Sequence, residues 1–274
     1  MRQRKFNVTG VCVPHLHYMV DIRNKVAQIK ELIDNGEYFT INRARQYGKT
    51  TTLYALKKAL GDEYKIISLT FEGLGEESLD TSQSFCYTFM EIIQDALKLT
   101  NVDKDEVEHW FNPQVKSFKQ LSQHLIEMCR NQKIVVMVDE VDKISNNQVF
   151  LEFLSMLRTK YLARNQNEDF TFHSVILAGV YDIKNLRWKI KARRDENRES
   201  TSSKIYNSPL NIAIDFEVDM SFNPEEILTM LREYEGDYKT GMGILEVAKH
   251  IHFYTSGYPF LVSRICHRIH NKLD

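Results

Sequence analysis

No stretch of the 274-residue chain approaches the roughly 20 consecutive apolar residues that a membrane helix needs. The N-terminal MRQRKFNVTG starts basic but has no hydrophobic core behind it, so it does not read as a secretory leader. The acceptor pattern Asn7-Val8-Thr9 is therefore idle for glycosylation. Cysteine is scarce: Cys12, Cys86, Cys129 and Cys266 are scattered without C-x-x-C spacing, which argues against a zinc knuckle and a disulfide framework and leaves buried thiols. Charge of one sign is also missing. With 36 basic against 37 acidic residues, the net charge of −1 gives no global argument for nucleic acid or an anionic membrane. These absences place the chain among soluble cytoplasmic proteins. It is long enough for one sizeable domain, or for one domain plus a smaller one.

What is present is organised around Tyr38 to Thr52. The aromatic and β-branched run Tyr38-Phe39-Thr40-Ile41 reads as a buried strand, Gly48-Lys49-Thr50 follows, and Leu53, Leu56 and Leu60 recur at helical spacing. A strand running through such a tripeptide into a helix is the context of a phosphate-binding loop. Backbone N–H groups at a helix start cradle phosphates, a lysine reaches the β- and γ-phosphates, and a Ser/Thr hydroxyl ligates Mg²⁺. Here Arg45, Gln46, Tyr47, Gly48 and Thr51 would line the cradle, Lys49 would meet the phosphates and Thr50 the metal. The general pattern G-x-x-x-x-G-K-[ST] asks for glycine at position 43, where this chain has Arg43. The loop can wrap provided Arg43 tolerates the local backbone angles.

The second landmark is KIVVMVDEVDK, residues 133–143. Ile134 to Val138 is a continuous apolar run, as expected of a central parallel strand buried on both faces, and it ends in Asp139-Glu140. At that end of a strand an aspartate can hold the Mg²⁺ shell and the adjacent glutamate can polarise the attacking water. The guanine-reading pattern N-K-x-D occurs only at Asn271-Lys272-Leu273-Asp274, after a helical pattern, and is a chance match.

Between and around these landmarks the spacing predicts helices over 22–33, 82–97, 118–129 and 150–162, with strands over 64–71, 170–180 and 210–218. Residues 101–115 read as a loop with a short helical turn. His15 and His17, at i and i+2, could share one face of a strand, but without further ligands they are ordinary packing or surface histidines. Tyr181 and Asp182, past the strand that follows Asp139-Glu140, are candidates for sensing the γ-phosphate, while Asp182 could equally cap a helix. The charge-dense 189–203 reads as a loop in which Arg193 and Arg194 either act as an arginine finger, grip a polyanion or face solvent. From Asn223 onward there are three helices. Thr255-Ser256-Gly257-Tyr258-Pro259 forms a turn between the last two, and Arg264 and Arg268 stand available to phosphates or to solvent.

With Arg43-Ala44-Arg45-Gln46-Tyr47-Gly48-Lys49-Thr50, Val138-Asp139-Glu140 and Ser256-Gly257-Tyr258-Pro259 in place, the chain resembles the AAA-ATPase-like family of bacterial P-loop ATPases, near the archaeal-type and STAND branch. The family's V-D-K lead-in is matched in part by Val20-Asp21, with Ile22 in place of Lys, and Arg43 fits the family's own loop, R-P-R-R-F-G-K-[ST]. The resemblance runs from about residue 18 to the end. It implies an α/β fold: a three-layer αβα P-loop NTPase sheet of the additional-strand, catalytic-glutamate type, with a small C-terminal helical lid. It also implies ATP and Mg²⁺ as ligands and hydrolysis coupled to a conformational change. The expected division is 1–220 for the ATPase core with its lead-in and 221–274 for the lid. The chain is then either a stand-alone ATPase or a piece of something longer.

Three functions compete on this reading. The first is an ATPase with Lys49 and Glu140 as its catalytic pair and Thr50 and Asp139 at the metal. The second is a nucleotide-gated interaction module with little turnover, signalling through the lid to a protein partner or downstream domain. The third is a nucleic-acid-binding ATPase, for which Arg187, Lys189, Lys191, Arg193 and Arg194 are the best argument.

Overall fold

The computed structural model describes residues 4–61, 63–100, 102–145, 147–180 and 212–273, together with the backbone of 188–189 and 205–206. Its elements in chain order are α1 (Arg23–Asp34), β1 (Tyr38–Asn42), α2 (Lys49–Leu60), β2 (Lys65–Thr70), α3 (Ser82–Lys98), α4 (Lys104–His109), α5 (Phe118–Cys129), β3 (Ile134–Asp139), α6 (Gln148–Asn165), β4 (Ser174–Gly179), the two-residue strands β5 (Trp188–Lys189) and β6 (Ile205–Tyr206), α7 (Pro224–Tyr238), α8 (Ile244–Thr255) and α9 (Pro259–Leu273). They fall into two compact units. One comprises residues 35–42 and 61–216, the other residues 1–34, 43–60 and 217–274.

The first unit is a parallel sheet in the order β1-β4-β3-β2. Parallel strands need covered faces and so read as unbroken apolar runs. β3 and β4 are buried along their length but for Asp139, which is half-buried. Val136, Val138, Val175 and Leu177 pack with Phe85 and Phe89 of α3, Leu121 and Leu125 of α5 and Phe150 and Leu154 of α6. Residues of the other parity, Val135, Met137, Ile176 and Ala178, are buried as well, so the sheet is covered on both sides. Because all four strands run the same way, Asn42, Thr70, Asp139 and Gly179 end at one edge, where ligands of open α/β sheets bind. The strand over 170–180 is shorter than its apolar pattern suggests: residues 170–173 lie outside it. Two of those residues accept side-chain bonds instead. Tyr38 Oη donates to the Phe172 carbonyl at 3.0 Å, and Arg164 donates to the carbonyls of Phe172 and His173.

The expected last strand, 210–218, is reduced among its described residues to one parallel bridge, Phe39 to Ile214, with Ile214 N–H donating to the Tyr38 carbonyl at 3.0 Å. Side chains rather than a ladder anchor this segment, since Ala213 is buried and the Phe216 ring stacks on Phe39 at 5.9 Å. Residues 101–115 contain the short helix α4, capped by Asp103, whose side chain accepts from Asp105 N–H.

The second unit gathers the lead-in, α1, α2 and the helices α7 to α9. Its core joins Phe6, Tyr18 and Val20 to Ile227, Leu231 and Tyr234 of α7, Ala248 and Ile251 of α8, and Val262 and Cys266 of α9. The lead-in does not fold alone. It pairs with itself through Lys5 and His17 and docks on α7, where Arg4 bridges Glu233 and Asp237 and Tyr18 Oη donates to Asp237 at 2.9 Å. Helix α7 starts as its sequence demands: Asn223 and Glu226 form a capping box, with Pro224 in the first turn. No helix among the described residues is long and apolar enough to cross a membrane.

Candidate functional site: the Lys49 loop and the end of β3

Residues 43–48 leave β1 and enter α2 at Lys49. Two of them have positive φ, Gln46 at 60° and Gly48 at 78°, while Arg43 does not. Position 43 thus needs no glycine; the left-handed turn of the loop falls on Gln46, a cost normally reserved for glycine or asparagine. The Arg43 guanidinium is used to anchor the loop, donating to the Val218 carbonyl at 3.1 Å. Lys49 folds back over the loop, and its ammonium donates to the carbonyls of Arg43 at 2.8 Å and Ala44 at 3.1 Å. Arg45, Gln46 and Thr50 are exposed, and Tyr47, Gly48, Lys49 and Thr51 half-buried.

Two neighbours hold the loop from outside. On one side the lead-in reaches α2, where Cys12 N–H donates to Thr51 Oγ1 at 3.2 Å. On the other side lies the turn between α8 and α9. Tyr258 Oη donates to the Arg45 carbonyl at 2.5 Å, its ring lies 4.9 Å from that of Tyr47, and Tyr47 Oη pairs with Ser221 Oγ at 3.0 Å. Lead-in, loop and lid together line a largely apolar pocket of about 150 Å³, with Val8, Val20, Gly48, Thr52, Phe222 and Pro259 among its walls.

In the sheet unit, β3 ends at half-buried Asp139, whose Oδ1 accepts the Glu140 N–H at 2.9 Å. Glu140 adopts φ 54°, ψ 38°, a left-handed conformation that a glutamate holds only when its surroundings impose it. The third acid, Asp142, is a clamp: both of its carboxylate oxygens accept the Val180 N–H, at 2.7 and 2.8 Å, fixing the end of β4. Gly179 makes room for it, since a Cβ there would meet Asp142 Oδ1 at 2.6 Å. The spacing D-E-x-D was visible in the sequence, but nothing in it signalled a partner 38 residues away.

The remaining candidates separate. His15 is exposed and His17 buried, because residues 14–16 form a turn and not a strand. The His17 ring accepts Val13 N–H at Nδ1, 2.9 Å, and burial followed by the charges of Lys5 and His15 lowers its pKa. Among the described residues no group of three or more His, Cys, Asp or Glu could hold a metal. Three cysteines are buried and Cys12 is half-buried beside the pocket, its thiol pushed up chiefly by burial. Arg264 and Arg268 are exposed on α9. Tyr181, Asp182, Arg187, Lys191, Arg193, Arg194 and Leu210, and the side chain of Lys189, lie outside the described residues.

A family model described as AAA-like domain matches residues 16–273, which includes both landmarks and the lid turn. The chain belongs to the AAA-like domain family. No curated protein matches this AAA-like domain at the level of sequence. Among solved structures it is similar to the Walker-type ATPase PABY2304 of Pyrococcus abyssi, at 15% identity over 98% of this chain and 72% of that one, with a TM-score of 0.59. It is also similar to Cdc6p from Pyrobaculum aerophilum, at 15% identity over 85% of this chain and 52% of the other, with a TM-score of 0.45. A third, the ORC2 protein of Aeropyrum pernix, shares 12% identity over 94% of this chain and 63% of its own, with a TM-score of 0.48. With its parallel sheet, the likeness to PABY2304 gives the AAA-like domain the three-layer αβα P-loop NTPase fold. Its additional strand is β4, which separates β1 from β3.

Proposed function

We propose that this AAA-like domain binds ATP with Mg²⁺ and hydrolyses it, using Lys49 and Glu140 as its catalytic pair. The observation that carries the reading is the loop itself. Its lysine is folded over its own backbone, its turn is made by positive φ at Gln46 and Gly48, and a helix starts at Lys49. Backbone N–H groups at a helix start suit phosphate oxygens, and the lysine adds a point charge among them.

We further infer Mg²⁺ as the metal, with Thr50, a hydroxyl in the first turn of α2, and Asp139, a carboxylate at the end of β3, as oxygen donors of the kind a hard cation takes. Bound there, Mg²⁺ would neutralise charge on the β- and γ-phosphates. Glu140 would accept a proton from the attacking water, and its left-handed backbone, tied to Asp139 Oδ1, fixes where its carboxylate starts. The apolar pocket beside Gly48 and Thr52 suits the planar face of the base. Arg45, Gln46, Tyr47 and Thr51 complete the phosphate cradle, and residues 221–274 act as the lid that answers to the bound nucleotide.

The lid contacts favour the switch reading as a second function. Tyr258 and Ser221 both reach the loop, so nucleotide state and lid position would be linked whether turnover is fast or slow. We place the protein in the cytoplasm on the same reading. The test is steady-state ATP hydrolysis with calorimetric nucleotide binding, comparing wild type, Lys49→Ala and Glu140→Gln. Lys49→Ala is expected to lose binding, whereas Glu140→Gln binds and does not turn over. Normal turnover by Glu140→Gln removes that residue from the mechanism. Binding by wild type without turnover leaves the switch.

A further inference from the structure

We propose that Tyr258, in the lid turn, is a positioning residue that sets the 45–46 peptide of the phosphate loop. The inference rests on the nucleotide-binding reading above and names the device by which the lid acts on that site.

A trans peptide is planar, so its carbonyl and its N–H point in opposite directions. Fixing the Arg45 carbonyl therefore fixes the Gln46 N–H on the far side of the same plane. Tyr258 does this with its only hydroxyl proton, at 2.5 Å. The next residue, Gln46, is the non-glycine in a left-handed conformation, which persists only where neighbours over-determine it. The hydrogen bond on the preceding carbonyl and the Tyr47 ring against Tyr258 are such neighbours.

Tyr258 can serve this purpose because its own backbone is held. Gly257 at φ 73° approaches Phe222 so closely that any Cβ would collide with that residue's backbone. Phe222 N–H donates to the Gly257 carbonyl at 2.8 Å, Gly257 N–H to Thr255 Oγ1 at 3.1 Å, and Tyr258 N–H to the Thr255 carbonyl at 3.0 Å. Pro259 then opens α9. The phenol thus stands on a turn that only glycine can make, and it reaches a loop 213 residues away in sequence. A lid displaced by a partner would release the 45–46 peptide. By reciprocity, a phosphate held by that peptide would favour the docked lid.

Tyr258→Phe keeps the ring against Tyr47 and deletes the donor. The test measures affinity and dissociation rate of a fluorescent ADP analogue, amide exchange at Gln46 and Tyr47 without nucleotide, and the melting temperature. The variant is expected to bind about tenfold more weakly, release faster and exchange faster at Gln46, with a melting temperature near that of wild type. Unchanged affinity and unchanged exchange in the variant, with wild type binding normally, overturn the positioning role alone. If wild type binds no nucleotide and Lys49→Ala is indistinguishable from it, the reading beneath falls instead.

Discussion

Glu140 carries two opposing demands. Its left-handed backbone costs on the order of 1–2 kcal/mol relative to glycine, and its carboxylate is the proposed base for water. Replacing it by glycine separates the two. Glu140→Gly is expected to melt at or about 2 °C above wild type while losing turnover, checked by thermal denaturation beside an ATPase assay. A fall of several degrees would mean that the side chain supports the fold. Asp142 makes the contrast: Asp142→Ala leaves the Val180 N–H without its acceptor and should cost about 1–3 kcal/mol, read as a lower denaturant midpoint.

At the scale of elements, the lid turn and the lead-in carry the sharpest expectations. Gly257→Ala forces a Cβ against the Phe222 backbone at a left-handed position. It should destabilise by about 2–4 kcal/mol, visible in the melting curve, and loosen the nucleotide site with it. The lead-in adds a pH dependence. Buried His17 accepts Val13 N–H, so its neutral ring belongs to the folded state, and its pKa is lowered by burial and then by Lys5 and His15. Its contribution is complete above the unfolded value of about 6.5 and is lost as pH falls from there towards the lower folded value. Melting measured from about pH 7.5 down to pH 5 should show a decline that His17→Gln reduces.

Much of the sheet was legible. The runs ending at Asn42 and Asp139 are buried strands because parallel strands must be apolar on both faces, and the order of Lys49-Thr50 before Asp139-Glu140 marks the fold. The rest depended on tertiary contact. Arg43 departs from the general glycine pattern but fits the family's loop, and only the fold shows that the strained turn falls on Gln46. The apolar alternation of 210–218 resembled a strand, but among its described residues one bridge and two packed side chains suffice. Nothing local to Tyr258 announces that its hydroxyl serves Arg45.

At the scale of the whole molecule, a ligand that binds only the folded state must raise its stability. At a concentration of about 100 times its Kd, ADP or ATP with Mg²⁺ should add about 2.7 kcal/mol, seen as a rise of roughly 5 °C or more in the melting temperature, and Lys49→Ala should show none. The same experiment without Mg²⁺ should give a smaller rise if Thr50 and Asp139 hold the metal. An equal rise would remove them from that role.

The chain alternates between the two compact units, passing from one to the other after Asp34, Asn42, Leu60 and Phe216. During synthesis, therefore, the strands of the sheet unit are all made before residue 217 appears, while the loop-bearing unit waits for helices α7 to α9. Until those helices emerge, Phe6, Tyr18 and Val20 lack the apolar partners that bury them, and Arg45 lacks the tyrosine that binds its carbonyl. A nascent chain arrested before α7 would carry the whole phosphate-loop sequence without the contacts that bury its lead-in and hold its Arg45 carbonyl.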